Sequence, residues 1–154
     1  MRPPFSSRRS GAIMIDALIG IGVLGMGAVA YYGLMPVIAR SHEIAQQDSK
    51  AAQISARLCE EYGMLKPSEV TTTTLSGLHL IDANQGNQPW TFSNIPLDDG
   101  TDYSPAKQLR NGAGTITTTS IAQGSILVTI NLTWTSPTGA ARSLKTGVVV
   151  GGYR

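Results

Sequence analysis

A single cysteine, Cys59, stands among 154 residues. An intramolecular disulfide is therefore excluded, and a metal site built from several thiolates goes with it. Cys59 reads as a small apolar side chain on a helix, with an intermolecular bridge as its other use. Histidine is almost as scarce. His42 and His79 are isolated, with no Cys, Asp or Glu at the spacing that completes a metal site, so both read as solvent-facing or structural. A nucleophile elbow, a phosphate-binding loop and a paired-carboxylate arrangement are also missing. The sequence therefore gives no ground to expect an enzyme, a metal or a cofactor.

Charge is sparse too, at 14% of residues. With mean hydropathy near zero, the chain is too apolar for disorder and long enough for one domain. Its basic pI is local in origin. Arg2, Arg8 and Arg9 fall in the first eleven positions, which hold no acid. Without that stretch nine basic residues face ten acidic ones, a formal charge of −1. No basic patch with interleaved aromatics remains, which argues against nucleic acid as a partner.

What the chain has in abundance is one apolar run. From Ala17 to Ile38 no residue is charged. At about 1.5 Å per residue this crosses a hydrocarbon core of about 30 Å. Arg8 and Arg9 precede it and predict a cytoplasmic N-terminus, with the downstream chain on the far side of the membrane. Three segment types share this outline: a cleaved secretory signal, a simple anchor, and a processed assembly helix. A secretory signal has an apolar core of about 7–15 residues before its cleavage site. Here the core is longer, although Val37-Ile38-Ala39 has the small-residue pattern of such a site.

Asp16 separates these readings. A carboxylate at the edge of an apolar run costs a few kcal/mol if it enters the bilayer, and Gly11 lies five residues before it. With the basic leader, this arrangement resembles the type IV prepilin family, including its pseudopilins. In that family a short basic leader ends in Gly, a dedicated peptidase cuts on the cytoplasmic side, and the fifth mature residue is usually Glu. The resemblance implies a leader over residues 1–11, cleavage after Gly11, a new N-terminus at Ala12 open to N-methylation, and Asp16 as the fifth mature residue. Where the family commonly has Phe or Met followed by Thr-Leu-Ile-Glu, this chain has Ala12-Ile13-Met14-Ile15-Asp16. It further implies that Asp16 pairs with the N-terminal amine of a neighbouring subunit during assembly, which relieves two costly charges and sets axial register. The implied partners are other pilin or pseudopilin subunits, a prepilin peptidase and an inner-membrane assembly platform. The implied location is the bacterial inner membrane, single-pass, and then a filament.

Gly20, Gly22, Gly25, Gly27 and Gly33 enrich the run in small residues that let helices approach closely. Pro36 removes a helical hydrogen bond and is expected to kink or loosen the helix. Residues 12–39 thus form a membrane and assembly half, and residues 40–154 a globular part. From Arg40 to Tyr62 the helix is expected to continue, with Ile44, Ala51, Ile54, Leu58 and Tyr62 on one face. Arg57 and Glu61 are spaced to pair, and Gly63 is a natural C-terminal cap.

Residues 63–112 read as an irregular connection, with short strands expected at Leu78–Ile81 and Trp90–Phe92. Asp98, Asp99 and Asp102 around Gly100 offer oxygen ligands but do not follow the EF-hand pattern, and read as a solvated acidic turn. Residues 113–151 predict an antiparallel sheet. Ile126, Val128, Ile130, Leu132 and Trp134 alternate with Thr129, Asn131, Thr133 and Thr135, the pattern of a strand with one buried face. Thr115–Ile121 and Arg142–Val150 flank it, across turns at Ala122-Gln123-Gly124 and Ser136-Pro137-Thr138-Gly139. The sequon Asn131-Leu132-Thr133 lies inside this strand and reads as coincidence.

The expected class is α+β: a long N-terminal helix whose amphipathic second half covers the sheet. The sheet is similar to that of PilV-like minor pilins, and the chain lacks the two-cysteine C-terminal loop of many major pilins. The function so implied is that of a minor pilin-like subunit. The alternatives are a pseudopilin of a secretion system, or a single-span anchored or exported β-domain that binds an envelope component.

Overall fold

The computed structural model describes residues 9–94, 104–121 and 124–151, with side chains from Met14 onward. Residues 1–8 of the expected leader, Asp98–Asp102 of the expected acidic turn, and Ala122 and Gln123 of the expected β-turn lie outside the described residues. Helix α1 runs over Arg9–Gly63. The chain divides into two units, Met1–Ser41 and His42–Arg154.

The first unit is helical from Arg9 onward. Its composition permits this: an apolar run satisfies its backbone groups within the helix, and Pro36 lies inside α1 without ending it, at the loss of one helical hydrogen bond, to the Tyr32 carbonyl.

In the second unit the C-terminal part of α1 carries the expected apolar face. Ala51, Ile54, Leu58 and Tyr62 are all buried, and Ile44 is half-buried. They join one core with Ile116, Val128, Ile130, Leu132, Trp134 and Val150 of the sheet. Each large side chain so buried contributes about 1.5–3 kcal/mol. Arg57 pairs with Glu61 at 3.1 Å and Glu60 at 3.5 Å on the exposed side. Gly63 is the last helical residue, but it does not take the left-handed cap conformation. Among the described glycines that is confined to Gly124 and Gly139.

The sheet has four antiparallel strands in sequential order: β1 Trp90–Thr91, β2 Ala113–Ser120, β3 Ile126–Thr135 and β4 Ala141–Val150. Ile130 opposes Ile116 on one side and Thr146 on the other. The alternation of β3 sends Val128, Ile130, Leu132 and Trp134 into the core, as its period requires. The β3–β4 turn closes through Gly139, whose φ of 86° suits the left-handed position, and Ser136 N–H donates to the Ala140 carbonyl. Trp90 and Thr91 extend the sheet beyond β2, and Phe92 lies over Gly114, where any Cβ would collide with its ring.

One expected strand is absent. Leu78–Ile81 forms the exit of a short helix α2, Thr72–Gly77. Thr71 caps it by accepting from Thr74 N–H at 3.3 Å. His79 turns the chain at φ 57°, His79 N–H donates to Ser76 O, and Leu80 N–H donates to Leu75 O. This is a Schellman ending, with Leu75 and Leu80 both buried beneath it. Local capping and burial of two leucines therefore override the low helix propensity of threonine. The connection also holds a 3-10 turn at Pro67–Glu69 and a one-turn helix α3 at Pro105–Gln108.

Candidate functional site

The sequence places its candidate site in the first unit, and the geometry there is simple. From Met14 to Ile38 every side chain is exposed, on all sides of α1. Met14, Leu18, Leu24, Met26 and Val29 are each about two-thirds or more exposed, at 70%, 67%, 74%, 77% and 75%. A Cβ built on Gly20, Gly22, Gly25, Gly27 or Gly33 would meet nothing within 4 Å. Among the described residues α1 is the helix long and apolar enough to cross a membrane. In water such a surface carries a large hydrophobic penalty, far above the patches soluble monomers expose.

Asp16 is exposed and sits one helical turn after Ala12, so the two positions share a face of α1. Gly11 and Ala12 are helical in backbone, and their side-chain surroundings lie outside the described residues. Further along, Tyr31 and Tyr32 form an edge-to-face pair, ring centroids 6.0 Å apart and planes at 76°.

The second unit brings together groups that sequence spacing does not reveal. Arg142 of β4 donates to Asp48 of α1 at 3.0 Å, tying the sheet's outer strand to the helix. Asp82 organises the approach to β1. Its Oδ2 accepts from Thr91 Oγ1 and Ser93 N–H at 2.9 Å, and its Oδ1 from Asn94 N–H at 2.9 Å. Beyond the short β1, the Gln88 side chain substitutes for a strand. Its Oε1 accepts from Thr118 N–H at 2.7 Å, and its Nε2 donates to Thr118 Oγ1. None of these pairs is visible in hydrophobic period or motif, because each joins polar residues brought together only by the fold.

The remaining candidates are dispersed. His42 and His79 are exposed, and no group of three His, Cys, Asp or Glu that could hold a metal occurs among the described residues. Cys59 is half-buried, with its Sγ 3.9 Å from Thr146 Oγ1. Tyr62 and Trp134 are buried, and neither the phenol oxygen nor the indole Nε1 has a hydrogen-bond partner. Burial pushes the Tyr62 phenol well above its ordinary pKa. An open groove lies beside the end of α1, lined by Met64, Leu65, Lys66, Pro67 and Val149. No family model, curated protein or solved structure matches this chain.

Proposed function

We propose that the chain is a minor pilin-like subunit, inserted in a bacterial inner membrane through α1 and assembled from there into a pilus-type filament. The observation that carries this reading is an apolar helix, bare on every side from Met14 to Ile38, with one carboxylate, Asp16, near its start. A lipid bilayer removes most of that surface from water, and a bundle of like helices in the filament removes the whole of it. A plain anchor needs no acidic residue there, and an intramembrane carboxylate is a functional signal by default.

In this reading a prepilin peptidase cuts after Gly11. The freed α-amino group of Ala12, methylated or not, is a cation at the head of the helix. The Asp16 carboxylate of one subunit meets the Ala12 amine of the next, and their pairing away from water fixes the axial step between subunits. The small residues from Gly20 to Gly33 let the helices approach closely. The second unit stays on the far side of the membrane and presents its sheet and loops to neighbouring subunits. A pseudopilin of a secretion system uses the same helix chemistry and belongs to the same reading.

Two substitutions test it. Gly11→Val leaves the leader attached. Asp16→Leu permits membrane insertion and abolishes incorporation, seen as loss of the subunit from sheared filaments while the membrane fraction keeps it. Normal filament content for both variants would refute the proposal and favour a single-span anchored β-domain, for which neither residue matters.

A further inference from the structure

Two polar requirements fall at one level of the apolar helix. Tyr31 and Tyr32 are 59% and 74% exposed, each presenting a phenol in the middle of an otherwise hydrocarbon surface. Hydrocarbon offers a hydroxyl no partner, and aromatic residues with a polar tip collect where lipid headgroups and water provide one. Pro36, four residues after Tyr32, has no N–H, so the Tyr32 carbonyl lacks its usual helical donor. That carbonyl is costly in hydrocarbon and readily satisfied by water or headgroups.

We infer that Tyr31 and Tyr32 mark the outer lipid–water boundary, so that the hydrocarbon covers the helix from Ala12 to Ala30 and leaves Leu34–Ile38 in or beyond the outer headgroups. The inference rests on the membrane-spanning reading above and adds the depth of insertion. The lengths agree. A core of about 30 Å takes about 20 helical residues, and counting back from Tyr31 ends at Gly11 and Ala12, the start of the apolar run. The competing placement sets Asp16 and Arg40 at the two faces. It spans about 36 Å, longer than the core, and sinks both phenols and the Tyr32 carbonyl about 12 Å below Arg40. With the boundary at the tyrosines, Asp16 lies one turn inside the inner face, out of bulk water, where pairing with an Ala12 amine is strongest.

The test is accessibility of single cysteines in the full-length chain, in a Cys59→Ser background, within membranes of intact cells that lack an assembly system. A membrane-impermeant maleimide should label Val37→Cys nearly as fast as Ser49→Cys, and Ala28→Cys at least about tenfold more slowly, since lipid excludes the reagent. Replacing both tyrosines by Leu should draw the helix outward-to-inward and protect Val37→Cys. Protection of Val37→Cys with the tyrosines present would place the boundary near Arg40 and overturn the inference, leaving the spanning reading intact. Labelling of Val37→Cys that is unchanged by the double Leu substitution would overturn the tyrosines' role as anchor. Labelling of Ala28→Cys as fast as Ser49→Cys would instead refute the spanning reading itself.

Discussion

Tyr62 shows how one residue can work against the fold that holds it. Its ring fills the core beneath the sheet, yet its hydroxyl is buried without a partner. An unsatisfied buried hydroxyl costs about 1–3 kcal/mol, so Tyr62→Phe, which keeps the ring, should stabilise the protein by about 1 kcal/mol in chemical unfolding. The phenol also adds a pH dependence. Its folded pKa is raised above the unfolded value of about 10, so the folded state holds the proton more tightly. Stability is therefore fully present below pH about 10 and declines as pH rises beyond it. The decline should be shallower in Tyr62→Phe, measured as unfolding midpoints at pH 8 to 11. The wild type having the shallower decline would contradict this. The sequence identified Tyr62 as a core position from its helical spacing alone; its missing partner depends on which polar groups the sheet brings near, and no local pattern encodes that.

Among the elements, β3 and the second half of α1 were the most legible, because a single buried face imposes its period on the residues. The four threonines before Leu75 hid α2. Their propensity argues against a helix, and the left-handed exit falls on His79 where a glycine would have signalled it. The pairing of Gln88 with Thr118 was equally hidden, since thirty residues separate them. That pairing has a consequence for the sheet. β1 has only two residues, and without the Gln88 amide the edge of β2 beyond Ile116 loses its partner. Unpaired edges invite pairing with other chains. Gln88→Ala should cost about 1 kcal/mol and speed hydrogen exchange at the Thr118 amide by roughly fivefold, with neighbouring β3 amides little changed. Unchanged exchange at Thr118 would show that the amide does not protect that edge.

For the whole molecule, the α+β architecture was legible because its two halves differ so sharply in composition. The apolar run has no acid or base for more than twenty residues, whereas the remainder alternates, caps and turns. The candidate site was legible for the same reason: Asp16 stands out only against an uncharged background. The links that secure the second unit were not, because Asp48 and Arg142 lie 94 residues apart and carry no motif.

The central claim concerns processing at the head of α1, and the mature N-terminus tests it most directly. The measurement is the intact mass and N-terminal sequence of the protein purified from cells that contain a prepilin peptidase. The account predicts a chain beginning at Ala12, heavier by a methyl group where the new amine is modified. A chain that retains Met1 through Gly11, or one that begins at Arg40 after cleavage as an export signal, would contradict it.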